Sequence, residues 1–134
     1  MIKDIGKDGV KDIVALSKDF IDGWKEEMYL SQDGLKVKGE YENDKLLGFI
    51  AYAEGVDFTD LEIIYVDKEY RRQGIGAKLI DEMLKEAKTP VYLEVRESNV
   101  SAINLYKSKG FTFLNKRKKY YADGEDCSVF VKTV

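Results

Sequence analysis

Histidine is absent from this 134-residue chain, and Cys127 and Pro90 are its only cysteine and proline. Without histidine there is no Cys/His zinc site, no Ser-His-Asp triad and no Cys-His dyad, and one cysteine cannot build a disulfide framework. Any general base must therefore be a carboxylate, a lysine, a tyrosine or the lone thiol. Cys127 sits in Asp126-Cys127-Ser128-Val129-Phe130-Val131, which reads as a strand, so a packed thiol is the expected state. Long hydrophobic runs are missing as well. The longest, Leu46-Leu47-Gly48-Phe49-Ile50-Ala51-Tyr52-Ala53, falls far short of the ~20 residues that a membrane-spanning helix needs, and the N-terminus has no signal-peptide core. Charge of either sign is barely in excess: 22 basic against 25 acidic side chains leave a net −3. No global positive field points to nucleic acid. The expectation is a cytoplasmic protein with no membrane or direct nucleic-acid partner and, with its carboxylates dispersed, no metal site.

What is present is a core. With 44% hydrophobic residues, the chain is sized for a single domain over residues 1–134. Periodicity gives a short strand at 2–5 and a helix at 7–20, with Val10, Ile13, Val14, Leu16 and Phe20 along one face. A second, shorter helix is read at 24–32. Alternation then gives a hairpin with arms 35–42 and 45–54 about an Asn43-Asp44 turn. A strand at 61–66 leads into a helix at 74–88, and a strand at 90–96 into a helix at 99–108. Ser98 or Asn99 is the expected N-cap of that last helix, and Gly110 its stop. Strands at 111–120 and 126–132 close the chain as a second hairpin. The order is that of an α+β, mixed-sheet protein.

The most informative junction is Val66-Asp67-Lys68-Glu69-Tyr70-Arg71-Arg72-Gln73-Gly74-Ile75-Gly76-Ala77-Lys78-Leu79, where a strand runs through a glycine-bearing turn into a helix. Glycines there let backbone approach a ligand, and the unpaired N–H groups and positive dipole end of the helix face an anion. A dinucleotide fingerprint needs a third glycine where Leu79 stands, and a P-loop needs Gly-Lys-Ser/Thr where Gly76-Ala77-Lys78 stands. Both fail. Arg71-Arg72-Gln73-Gly74-Ile75-Gly76 instead resembles the Arg/Gln-x-x-Gly-x-Gly/Ala loop of the GCN5-related N-acetyltransferase (GNAT) family. Downstream, Asn99, Ala102, Tyr106, Gly110 and Phe111 match that family's Asn-x-x-Ala-x-x-x-Tyr-x-x-x-Gly-Phe signature at every named position. Within the family, Leu93-Glu94-Val95-Arg96 through Gly110-Phe111 and the tail Arg117-Lys118-Lys119-Tyr120-Tyr121 with Glu125-Asp126 resemble the RimI branch, the ribosomal-protein-alanine N-acetyltransferases. Gly23-Trp24-Lys25-Glu26-Glu27-Met28 is similar to the tryptophan-bearing first loop of that branch.

The resemblance implies a central, mostly antiparallel mixed sheet of about seven strands flanked by about four helices. Two parallel strands, 61–66 and 91–96, would splay apart to admit acetyl-CoA. It implies that backbone at Ile64, Tyr65 and Val66 pairs with the pantetheine arm. Arg71, Arg72, Gln73, Gly74, Ile75, Gly76 and Ala77 would hold the pyrophosphate, and Asn99 and Tyr106 would also contact the cosubstrate. It further implies direct acetyl transfer to the α-amino group of a protein N-terminus, a small-subunit ribosomal protein being one candidate, with Glu94 as base and Tyr106 as acid. Trp24, Tyr120 and Tyr121 would line the acceptor groove, although adjacent tyrosines on a strand face opposite sides. From spacing alone, Glu94 reads as a solvated strand carboxylate between inward Leu93 and Val95, and Tyr106 as a helix-face aromatic packed on the sheet; only the motif favours the catalytic roles. The run Lys116-Arg117-Lys118-Lys119 reads as a solvated sheet edge or as a docking patch. Ile63, Tyr65 and Lys68 depart from the residues usual in the family, which leaves the acceptor open. Two other readings remain: an acetyltransferase of small amines such as polyamines, amino acids or aminoglycosides, and an acyl-CoA-binding sensor without turnover.

Overall fold

The computed structural model describes residues 1–20 and 34–133. Seven strands form one sheet: β1 (Ile2–Asp4), β2 (Leu35–Glu42), β3 (Lys45–Glu54), β4 (Thr59–Val66), β5 (Val91–Arg96), β6 (Thr112–Arg117) and β7 (Cys127–Lys132). Their order across the sheet is β1-β2-β3-β4-β5-β7-β6, antiparallel throughout except for the β4–β5 pair. Three α-helices are described: α1 (Val10–Leu16), α2 (Ile75–Glu86) and α3 (Val100–Ser108). The helix expected at 24–32 lies outside the described residues, and none of the described helices is long and apolar enough to cross a membrane.

The hairpin arms fall where alternation places them, and the reason is local. Asn43 and Asp44 adopt φ of 50° and 68°, the left-handed pair that a two-residue turn requires to match strand twist. The first helix is shorter than its periodicity: residues 7–9 form a 3-10 turn and α1 ends at Leu16. Ser17 stops it by turning its hydroxyl back onto the Ile13 carbonyl at 2.9 Å, a bond that competes with continued helix.

Two apolar layers sandwich the sheet. On one face α2 and α3 cover Leu47, Ile50, Tyr52, Leu61, Leu93, Val95 and Phe130, with Ile75, Leu79, Ile80, Met83 and Tyr106 facing down. On the other, α1 brings Ile13 against Val37, Phe49, Ala51, Ile63 and Tyr65. In β4, Leu61 and Ile63 lie in different layers although strand alternation should place them together. The register explains it: Tyr52 pairs Leu61 and Ala51 pairs Ile63, so Glu62 is an extra, bulged residue. A bulge bends its strand and ends regular pairing. Pairing of β4 with β5 covers Thr59–Val91, Asp60–Tyr92 and Leu61–Leu93 and goes no further. Beyond the bulge the two parallel strands part.

Candidate functional site

The opening between β4 and β5 lies between two of the segments that the sequence singled out, the end of β4 and β5 itself. On the β4 side are Ile64, Tyr65 and Val66. Ile64 and Val66 are half-buried toward α2, while Tyr65 is 8% exposed and belongs to the α1 layer. The Tyr65 ring lies 5.5 Å from that of Phe20 and 5.3 Å from the Arg71 guanidinium. The unusual tyrosine is thus a packed wall beside the opening. Arg71 also donates from Nε to the Val66 carbonyl at 3.0 Å, which fixes the loop to the end of β4.

That loop delivers an unobstructed helix start. Arg72 and Gly74 both take left-handed backbone, φ 65° and 80°. Gly74 is the N-cap of α2, no side chain caps the helix, and its first turn carries no acid. The first return bond runs from Lys78 N–H to the Gly74 carbonyl at 3.0 Å, so the amides of the preceding turn lack intrahelical partners. A Cβ on Gly74 would meet nothing within 4 Å, whereas one on Gly76 would meet Leu105 Cδ2 at 3.2 Å. The two glycines therefore do different work. Gly74 supplies the turn and open space for a ligand, and Gly76 lets α2 sit tightly against α3 and β4. Uncapped amides, a positive dipole end and clear space fit a pyrophosphate.

On the other side of the opening, β5 alternates strictly. Val91, Leu93 and Val95 are buried under α2 and α3, and Tyr92, Glu94 and Arg96 face the opposite side. Glu94 is exposed. The Tyr120 hydroxyl donates to its Oε1 at 3.2 Å, and Arg117 Nη1 lies 3.2 Å from its Oε2. Asp60, paired in register with Tyr92, shares this face. Burial, reinforced by the charge of Glu94, pushes the Asp60 carboxyl above the usual carboxylate range. Sequence reasoning passes over Asp60. Its one signal is an acidic residue just ahead of an apolar strand.

Tyr106 occupies the helical side. Its hydroxyl has no hydrogen-bond partner among the described residues, and burial pushes the phenol well above its ordinary value. The signature around it is a capping device. Gly110, at φ 91°, terminates α3 while Phe111 N–H bonds the Tyr106 carbonyl at 3.1 Å and Gly110 N–H bonds that of Lys107 at 3.1 Å. This is the paired bonding of a Schellman cap. Its apolar contact is the Tyr106–Phe111 ring pair at 5.9 Å. At the other end Asn99 is the N-cap, accepting from Ala102 N–H at 3.3 Å. Glu94 and Tyr106 thus stand on opposite faces of the sheet.

Two expectations change. The strand expected at 111–120 ends at Arg117, because Lys119 takes φ 51° and its N–H is held by Asp126 Oδ1 at 2.9 Å. Tyr120 and Tyr121 consequently lie in a loop, where the opposite-face argument does not apply, and their rings touch at 5.2 Å. Tyr120 is 46% exposed beside Glu94, while Tyr121 packs under the Arg96 guanidinium at 4.1 Å. In the basic run, Lys116 pairs with Glu97 at 2.7 Å and Arg117 with Glu94. That run is the end of the edge strand, with two of its charges occupied inside the molecule. Trp24 lies outside the described residues. Cys127 is fully buried, as its strand position implied.

The model of the Acetyltransferase (GNAT) family matches residues 13–111. The [ribosomal protein bS18]-alanine N-acetyltransferase of Escherichia coli K12 is 34% identical over 116 residues, covering 81% of this chain and 78% of that protein. An N-alpha-acetyltransferase of Sulfurisphaera tokodaii is 50% identical over 68 residues, 47% of this chain and 41% of its own. Among solved structures, the ribosomal-protein-S18-alanine N-acetyltransferase from Escherichia coli superposes with a TM-score of 0.89 at 28% identity, covering 100% of this chain and 93% of that one. A family match over most of the chain, a relative aligned along most of both lengths and a shared fold lead to one conclusion: this chain belongs to the GNAT family of acetyltransferases.

Proposed function

We propose that the chain transfers the acetyl group of acetyl-CoA to the α-amino group of a protein N-terminus, as its bacterial and archaeal relatives are named for doing. The observation that carries the reading is a sheet whose β4–β5 pair parts after Leu61–Leu93, with a carboxylate on β5 just past that point and a buried phenol on the opposite face of the sheet. Acetyl-CoA fits this opening: the edge of β4 along Ile64, Tyr65 and Val66, which β5 leaves unpaired and where only the Val66 carbonyl is taken, by Arg71, for the pantetheine, and the start of α2 from Gly74 to Ala77 for the pyrophosphate, flanked by Arg71, Arg72 and Gln73. Asn99, half-buried at the start of α3, would border the thioester.

The chemistry needs one proton removed and one delivered. As the amine nitrogen bonds to the thioester carbonyl carbon, Glu94 takes the amine proton, directly or through one water. As the carbon–sulfur bond breaks, Tyr106 gives its phenolic proton to the sulfur. A protein α-amino group has a pKa near 8, so a sizeable fraction is already neutral at working pH and a carboxylate base is sufficient. A lysine, near 10.4, asks more of the base. A buried phenol stays protonated at any physiological pH, so the proton is present to give, while burial also makes it the weaker acid. Tyr120, on its loop beside Glu94, borders the acceptor; Tyr121 contributes by supporting it, and Trp24, outside the described residues, remains a candidate by resemblance. A ribosomal protein with N-terminal alanine is the proposed acceptor class.

The test is release of CoA thiol from acetyl-CoA with a short peptide beginning Ala-Arg-Tyr, against its N-formylated copy and a set of free polyamines. Release with the free-amine peptide alone is the expected result. Activity with polyamines instead would replace the acceptor and keep the chemistry, and cofactor binding with no transfer to any amine would leave a sensor.

A further inference from the structure

The loop that carries Tyr120 has little of its own to pack. It contains Tyr120, Tyr121 and Ala122 as its only apolar residues and folds on itself through Tyr121 N–H to the Glu125 carbonyl at 3.2 Å and Gly124 N–H to the Tyr121 carbonyl at 2.8 Å. Among the described residues, its ion pairs with the rest of the molecule converge on β5. Arg96 Nη1 lies 2.8 Å from Asp123 Oδ2 and 3.1 Å from Glu125 Oε1, and its guanidinium covers the Tyr121 ring. The other Glu125 oxygen accepts the Ser98 N–H at 2.8 Å, at the entry to α3. The Arg96 side chain is only 12% exposed. Both acids are held ionised: a bond from the Glu125 amide and then Arg96 lower Asp123, and Ser98 and then Arg96 lower Glu125. Asp123 and Glu125 stand 27 and 29 residues along the chain from Arg96. No local pattern links them, so the convergence is a product of the fold.

Arg96 shares its sheet face with Glu94, two positions along the same strand. The contacts then run in series: Arg96 on Tyr121, Tyr121 on Tyr120, and the Tyr120 hydroxyl on Glu94. We propose that Arg96 is a positioning residue for the acceptor site, latching the 118–126 loop through Asp123 and Glu125 so that Tyr120 is held against Glu94. Arg96 touches neither the glycine loop nor the helix start of α2, and the one latch contact toward Asn99, the Ser98 amide on Glu125, is not its own, so Arg96 governs the acceptor and not the cosubstrate. The inference rests on the reading of Glu94 as the base for an amine acceptor. A misplacement of about 1 Å in such a site lowers rate by about 10²-fold.

The experiment compares Arg96→Met, Arg96→Lys, Tyr120→Phe and the double variant Arg96→Met/Tyr120→Phe, with the Ala-Arg-Tyr peptide and acetyl-CoA. Arg96→Met is expected to lower kcat/KM for the peptide by about 10²-fold with the acetyl-CoA Kd unchanged, and Arg96→Lys to recover part of the loss. The double variant should be no worse than the poorer single one, because both remove the same link. Additive losses, or an equal loss of acetyl-CoA affinity, would overturn the proposal. If Arg96→Met does not fold, Asp123→Asn/Glu125→Gln cuts the same latch from the loop side. Hydrogen exchange gives a readout free of turnover: amides of 118–126 should exchange faster in the cut latch while those of β5 and β7 do not. Unchanged loop exchange overturns the latch even where peptide transfer stands. Faster loop exchange in a protein that acetylates no peptide overturns the acceptor reading, and the positioning role with it.

Discussion

Glu94 and Tyr106 show how little a residue's own neighbours in sequence disclose. Glu94 reads like any outward strand carboxylate, and only the fold brings Tyr120 and Arg117 to hold it from two sides. Tyr106 reads like a core aromatic, and it is one: its ring is buried against Phe111 while its hydroxyl goes without a partner among the described residues. Glu94→Gln and Tyr106→Phe are each expected to lower turnover by about 10²-fold or more with acetyl-CoA affinity retained, as steady-state kinetics beside calorimetric titration would show. Near-normal turnover in either would remove that residue from the mechanism. Tyr65 is legible as a departure from the family but not in its direction, since the bulge at Glu62 decides which layer it enters. A one-residue insertion in a ladder flips every later side chain, and nothing in Leu61-Glu62-Ile63-Ile64 marks it.

Among elements, those built from local signals are readable in the sequence and those closed by distant contacts are not. The α3 signature is a helix with its own two caps, so Asn99 and Gly110 mark both of its ends through residue type and spacing. Gly110→Ala should cost about 1–2 kcal/mol, the penalty of a side chain in left-handed backbone, and the loosened cap should also raise the exchange rate of the last α3 amides. Gly48, in β3, carries no sequence signal of its role, yet a Cβ there would stand 2.9 Å from the Tyr65 carbonyl and 3.3 Å from Ile75 Cγ2. The clash is with backbone, which cannot swing aside. Gly48→Ala should therefore cost about 1–3 kcal/mol and weaken acetyl-CoA binding, because it displaces β4 at the residues proposed to hold the pantetheine. Chemical denaturation with a parallel cofactor titration would register both. The β6–β7 loop is hidden for the opposite reason: the strand pattern continues through Lys118-Lys119-Tyr120, but a left-handed Lys119 and the Asp126 side chain end the strand.

At the scale of the whole molecule, stability is set by layers on two sides of a sheet, and its phenols make that stability sensitive to alkali. Tyr52, raised by burial and by its 2.8 Å bond to Glu86, and Tyr106, raised by burial, both resist ionisation in the fold. Unfolded tyrosines ionise near pH 10. The folded state therefore binds more protons above that pH, and the contribution of these groups, complete below about pH 10, is lost as the pH rises beyond it. The urea midpoint should hold between about pH 8 and 9.5 and fall by pH 11, and Tyr52→Phe should flatten the decline. The same sheet is also divided. Its halves, β1 to β4 and β5 to β7, share a ladder of only three residue pairs, Thr59–Val91 to Leu61–Leu93. A ligand lying along Ile64, Tyr65 and Val66 would supply the missing rungs, and a compound that binds only the folded chain at a hundred times its Kd adds about 2.7 kcal/mol of stability. Protease digestion should then slow as acetyl-CoA is titrated in and be indifferent to free acetate. In a cell, the lifetime of such a protein rises and falls with the metabolic supply of its own substrate, so starvation would thin the enzyme as well as idle it.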